Sequence, residues 1–143
     1  AKINVTVHGK TAHAGVAPEK GVSAISIASK AIAKMPLGRI DEETTANIGR
    51  FEGGTQTNIV CDLVNIQAEA RSLVPNKMEA QVDKMKKAFE ESAQLMGGAV
   101  NFESEVMYPG FKFDENELVV QIAKQAVSAI GRTPRLLQSG GGR

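Results

Sequence analysis

His13 lies in the run Thr11-Ala12-His13-Ala14-Gly15-Val16 and is one of only 2 histidines among 143 residues. The run sits between a strand-like and a helix-like segment. A histidine on a glycine-flanked turn is poorly placed to be core and well placed to meet a ligand, because loops held on a rigid scaffold gather binding and catalytic groups. Its ring is suited to donate to a developing oxyanion, but a lone histidine does little chemistry without partners. Two further polar residues are suited to binding. Asn58, at a loop–strand junction, can donate to a carbonyl or carboxylate oxygen. Arg71, on the polar side of a strand, can hold a carboxylate through two parallel hydrogen bonds. Each also has a structural reading: Asn58 as a turn residue, Arg71 as a solvated residue or a partner of a neighbour such as Glu69. The second histidine, His8, falls on the polar parity of its strand and reads as structural or solvated.

Other chemistries are poorly supported. A zinc site needs three or four converging His, Cys or carboxylate ligands. The chain has 2 histidines, 1 cysteine and no His-x-x-x-His or Cys-x-x-Cys spacing, so no intrinsic metal site is expected. Ser139 precedes Gly140-Gly141-Gly142, but Gly-x-Ser-x-Gly is absent, and the glycines read better as a turn that approaches substrate or backbone. A net charge of +1 argues against a general nucleic-acid or membrane surface. Lys84, Lys86 and Lys87 alternate with Glu79, Asp83, Glu90 and Glu91 as a solvated helix face. Cys61 cannot form an intrachain disulfide and suits a reducing compartment, the cytoplasm.

The elements that must position these residues follow from periodicity. Ile3, Val5 and Val7 alternate with polar residues as a half-buried strand. Pro18 and Glu19 open a helix with Val22, Ile25, Ala28, Ile32 and Met35 as its buried stripe, ended by Pro36. Thr44 to Glu52 reads as a second strand and Ile59 to Leu73 as a third. Val64, Ile66, Ala68 and Ala70 take one face of the third strand, and Asn65, Gln67, Glu69 and Arg71 the other. Asn76 with Glu79 resembles a capping box, and Met78, Val82, Met85, Phe89 and Met96 stripe the helix that follows. Val100, Phe102, Val106 and Tyr108 share parity on a fourth strand. The pattern predicts an α+β fold, a β-α-β-β-α-β ferredoxin-like sandwich: a four-stranded antiparallel sheet with two helices on one face. Strands two and four are then the edges. The uncharged Ala46-Asn47-Ile48-Gly49 invites homodimerisation through the second-strand edge and the first helix.

Beyond Pro109-Gly110 the character changes. Leu118, Ile122, Ala126 and Ile130 stripe a further helix, and Arg135 to Gln138 suggests a short strand. A helix feeding a strand is how an α/β domain resumes after an insertion. Residues 1–110 therefore read as one domain and 111–143 as a fragment re-entering another, with both chain ends read as cuts through a longer protein.

The ordered motifs resemble the lid domain of the dinuclear-zinc exopeptidases, the family of peptidase T, glutamate carboxypeptidase and succinyl-diaminopimelate desuccinylase. The resemblance rests on Gly9-Lys10-Thr11-Ala12-His13-Ala14-Gly15, Ala17-Pro18-Glu19-Lys20-Gly21, Gly38-Arg39-Ile40-Asp41, Thr44-Thr45-Ala46-Asn47-Ile48-Gly49, Thr57-Asn58-Ile59-Val60, Glu69-Ala70-Arg71-Ser72 and Ser139-Gly140-Gly141-Gly142. It is strongest to the peptidase-T-like branch. One departure is Arg143, where the family's glycine loop usually continues with serine and aspartate; no role is assigned to it.

This resemblance implies a dimerisation and substrate-capping lid inserted into a catalytic domain that carries two zinc ions and hydrolyses short peptides, as an aminotripeptidase does. It implies that His13 reaches the opposite subunit's site and hydrogen-bonds the scissile carbonyl oxygen. It implies that Asn58 and Arg71 bind substrate, Arg71 at a terminal carboxylate, and that Gly140, Gly141 and Gly142 lie beside it. The zinc ligands would belong to other segments, leaving this chain without metal and inactive alone. The rival reading is a free-standing ferredoxin-like regulatory or protein-interaction module, since one topology hosts many functions. RNA binding is disfavoured because the polar sheet face has no aromatic pair for stacking bases.

Overall fold

β1 (Lys2–His8) buries Ile3, Val5 and Val7 and exposes Lys2, Asn4 and His8, the period-2 pattern of a strand with one face against a core. It is the second strand from one edge of a five-stranded antiparallel sheet, in a computed structural model that describes residues 1–137 and 139. The other strands are β2 (Gly38–Arg39), β3 (Thr44–Gly53), β4 (Leu63–Ser72) and β5 (Ala99–Glu105), in spatial order β2-β3-β4-β1-β5. Removing the two-residue β2 leaves the expected four-stranded arrangement. β2 is the addition: after Gly38, whose φ of 77° suits glycine, the chain folds back so that Gly38 and Arg39 pair with Ala46 and Thr45.

Helices α1 (Ala24–Lys34) and α2 (Pro75–Met96) cover one sheet face. Val64, Ile66, Ala68 and Ala70 of β4 are buried beneath them, while Asn65, Gln67 and Arg71 are exposed on the open side. Phe89 is fully buried and its ring meets that of Phe102 at 6.3 Å. Truncating a buried phenylalanine of this kind typically costs about 3–5 kcal/mol.

Several local expectations are corrected. Pro18 opens only a 3-10 turn, Pro18–Lys20, because Val22 is drawn into backbone pairing with Lys10. α1 begins later, where Ser23 Oγ accepts the N–H of Ser26. Its buried face is Ala24, Ile27, Ala28 and Ala31, with Ile25 left partly outside. Ile27, fully buried, takes the place expected of Ile25, and the small alanines beside it let the helix approach its neighbours closely. α2 has no capping box; Pro75 occupies its first turn and Ser72 Oγ accepts the N–H of Val74. β4 starts at Leu63 rather than Ile59, and β5 ends at Glu105, leaving Val106 and Tyr108 exposed.

The tail carries α3 (Leu118–Ala129). None of its residues is buried, and Leu118, Val119 and Ile122 are all exposed. Residues 135–137 form no strand; Gln138 lies outside the described residues. No helix among the described residues is long and apolar enough to cross a membrane.

Candidate functional site at the histidine turn

The segment from Gly9 to Ala17 carries little regular structure of its own and is positioned by backbone hydrogen bonds on two sides. On one side, Gly9 N–H donates to Asp62 O at 2.7 Å, Val60 N–H to Ala12 O at 2.9 Å and Ala14 N–H to Asn58 O at 2.9 Å. On the other, Lys10 and Val22 exchange a pair of bonds at 2.8 Å. Ala24 N–H, in the first turn of α1, donates to Cys61 O at 2.7 Å. The histidine turn is thus laced to the β3–β4 loop and to the entrance of α1.

Two glycines make this lacing possible. A Cβ on Gly9 would sit 2.0 Å from Val22 O, and one on Gly21 would sit 2.9 Å from Ala12 Cβ and 3.0 Å from Lys10 O. Both positions need a bare backbone because another chain segment passes where a side chain would be.

His13 is exposed at the tip. Its carbonyl accepts the N–H groups of Val16 at 3.3 Å and Ala17 at 3.0 Å, which closes the turn. Its Nδ1 accepts the N–H of Gly15 at 3.2 Å. A ring nitrogen that accepts a backbone N–H carries no proton of its own, so in the neutral ring the proton sits on Nε2. The turn therefore presents a hydrogen-bond donor to whatever approaches it.

The structure brings His13 and Asn58 onto neighbouring backbones. The residue directly opposite His13, however, is Ile59, through an isolated antiparallel bridge. Opposed residues of such a bridge share a side and adjacent ones alternate. Asn58 engages the turn through its backbone carbonyl, and its residue is exposed. Ile59, 40% exposed beside a polar donor, is a candidate wall of the site that sequence reasoning missed. Reading it would have required the bridge register, which no local pattern encodes.

Arg71 is not brought to this turn. It sits on the open face, opposite Thr45, with Nη2 2.8 Å from Glu69 Oε2. That hydrogen bond and the Glu69 charge push the guanidinium pKa up. β4 starts near the turn, where Leu63 pairs with His8, and from Leu63 to Arg71 it runs about 26 Å at roughly 3.3 Å per residue. Gly140, Gly141 and Gly142 lie outside the described residues, as does Arg143.

Among the described residues no three His, Cys, Asp or Glu side chains are grouped to hold a metal ion. The side chains described here do not fit a zinc centre, and what they offer is hydrogen bonding and charge.

A second polar assembly lies at the other end of the fold. Lys77 Nζ on α2 sits 2.8 Å from Glu43 Oε2 and 3.3 Å from Asp41 Oδ2, tying the β2–β3 turn to the helix. Asp41 also accepts the N–H of Glu43 at 2.9 Å. That backbone hydrogen bond is the main cause lowering the Asp41 pKa to about 2, with Thr44 and Lys77 adding to it.

The family model for the peptidase dimerisation domain matches residues 1–95. The chain is similar to the aminopeptidase PepT of Bacillus cereus ATCC 10987, with 72% identity over 99% of this chain and 38% of that one and a TM-score of 0.92. It is also similar to a tripeptidase of Staphylococcus aureus subsp. aureus Mu50, 49% identical over the same shares of the two chains with a TM-score of 0.94. Among protein sequences, it is 72% identical over 142 residues to the uncharacterized protein YqjE of Bacillus subtilis strain 168, covering 99% of this chain. The chain spans only 38% of the length of each of these relatives.

Proposed function

This chain belongs to the peptidase dimerisation domain family, and from that premise we propose that it is the homodimerising, substrate-capping lid of a peptidase-T-like enzyme that cleaves short peptides. Similarity to an aminopeptidase and a tripeptidase supports the peptide substrate. The two zinc ions implied by the resemblance would be bound by residues outside this chain, in a cytoplasmic enzyme; the one cysteine of this chain, Cys61, is free, as suits a reducing compartment. The exposed apolar side chains of α3 support the assignment of 111–143 to that other domain, against which they would be covered. A free-standing regulatory module has no observation in its favour.

The observation that carries the proposal is the outward Nε2 donor at His13, on a turn held by two neighbouring segments. A preorganised donor of this kind is aimed at charge that develops only in the transition state. Here it would be the oxygen of the scissile carbonyl. Arg71 would hold the terminal carboxylate, with Asn58 and Gly140 to Gly142 contributing further substrate contacts. Because His13 and Arg71 are separated by much of the length of β4 within one chain, a short peptide that meets both must be served by different subunits.

Mixing inactive subunits tests this arrangement. His13→Ala and Arg71→Ala full-length proteins are each purified, then co-refolded or co-expressed. In a mixed dimer one site draws an intact Arg71 from one subunit and an intact His13 from the other, so random mixing restores roughly a quarter of wild-type activity. No recovery in verified mixed dimers would place both residues in the same subunit's site or outside it.

A further inference from the structure

Resting on the reading of His13 as the donor to the scissile carbonyl, we propose that Ile59, with Val16 beside it, sets the substrate class. The enzyme takes short peptides with an apolar side chain on a residue that flanks the scissile bond, and disfavours a charged side chain at that place.

The two backbones of the histidine turn alternate in step. Ala12 and Val60 turn inward: a Cβ on Gly21 would lie 2.9 Å from Ala12 Cβ and 3.0 Å from Val60 Cγ1. Both are half-buried, and Val60 N–H donates to Ala12 O at 2.9 Å. One step along each backbone, His13 and Ile59 oppose each other in the antiparallel bridge, and both are exposed. Successive side chains on paired backbones point to opposite sides. The ring and the isoleucine therefore leave the turn together on its outer side, where directly opposed Cβ atoms lie about 4.5–5.5 Å apart.

The isoleucine does little for the fold. Cys61, two residues on, packs against the hydrophobic core, but Ile59 is not among the described residues that do so. It stays 40% exposed. Val16 is 78% exposed, and its N–H closes the turn on His13 O at 3.3 Å, which keeps its backbone close to that of His13. Two branched apolar side chains beside one fixed polar donor have the composition of a small-molecule site, in which apolar walls surround a few placed polar groups.

The same segments carry no charge. No residue from Thr11 to Ala17 or from Gly53 to Cys61 is acidic, lysine or arginine. An ionised substrate side chain brought here would give up water with no opposite charge to replace it. An apolar one would cover Ile59 and Val16 and take apolar surface out of water. The side chains nearest a peptide carbonyl are those of the two residues that the bond joins, so a donor engaged with that oxygen brings one of them alongside its own neighbours. Arg71, remote along β4, is left to recognise the terminal carboxylate, so the two selectivities are separable.

Tripeptides of glycine with one leucine or one aspartate, in the first or the second position, test the assignment on the full-length enzyme through kcat/KM. Wild type should prefer leucine to aspartate by about tenfold or more at one of these positions. Ile59→Lys and Val16→Lys should each shrink that ratio by roughly fivefold or more, because the new ammonium group attracts the aspartate. A wild type indifferent to the two side chains would overturn the proposal. So would an Ile59→Lys enzyme that loses activity equally on both peptides and keeps the wild-type ratio. If Ile59→Lys does not fold, Val16→Lys, at a position open to solvent, decides by the same ratio. A wild-type enzyme that cleaves none of these tripeptides is a different result, which removes the peptidase reading and this inference with it.

Discussion

The backbone N–H of Gly15 reaches back 3.2 Å to Nδ1 of His13, so the turn that carries the ring also selects its tautomer. The donor left on Nε2 is the chemical property on which the proposed role depends. Removing one oxyanion donor typically costs about 2.7–4 kcal/mol of transition-state stabilisation. His13→Ala in the full-length enzyme should therefore lower kcat by roughly 100-fold or more, with the dimer intact. Steady-state kinetics showing a near-normal kcat would remove His13 from the reaction.

Arg71 should act differently. If it binds the terminal carboxylate throughout the reaction, Arg71→Ala raises KM for peptides with a free carboxyl end much more than it lowers kcat. The same substitution should have little effect on a peptide amide, which lacks the carboxylate. Equal losses on both substrates would count against the assignment.

Gly9 links site geometry to stability. Because an added Cβ would meet Val22 O at 2.0 Å, Gly9→Ala must separate the histidine turn from the entrance of α1. A cost of about 1–3 kcal/mol is expected, as for other overpacked positions, readable as a lower Tm. Gly15→Ala is the control: its Cβ would be no nearer than 3.7 Å to the His13 ring and should be tolerated. Similar Tm values for the two variants would contradict the close approach at Gly9.

Asp41 predicts an acid-dependent stability term. Its carboxyl is lowered from an ordinary 3.8 to about 2, so the folded state prefers the ionised form. Stability from this group is fully present above pH 3.8 and is lost as the pH falls through about 2. Asp41→Asn should flatten the change in stability across that window and leave its slope near neutral pH unaltered. Urea unfolding at a series of pH values reads both, and an unchanged acid slope would exclude Asp41 as its source.

The element order was legible in the sequence because its signals are local. Alternation in Ile3–Val7 and Val64–Ala70, the stripe through Met85 and Phe89, and the helix stop at Gly97 each span a few residues. His13 stood out for the same reason, as a histidine set in a glycine-containing turn. The phase of α1 was only partly legible: Ala28 and Met35 of the expected stripe are buried, but Ile25 and Ile27 are alike in type, and only the packing makes Ile27 the buried one. β2 was not legible, since its two residues become a strand only when Ala46 and Thr45 pair with them.

By itself, then, the sequence determined the alternation of strands and helices, the polar open face and the set of candidate residues, since side-chain type and spacing act over a single turn or strand. Only the tertiary structure decided that Ile59 faces His13, that Gly9 and Gly21 must be bare, that β2 shortens the free edge and that Arg71 lies far from the turn. Those are relations between segments distant along the chain. They arise from strand register and close backbone approach, which depend on all the packed elements together.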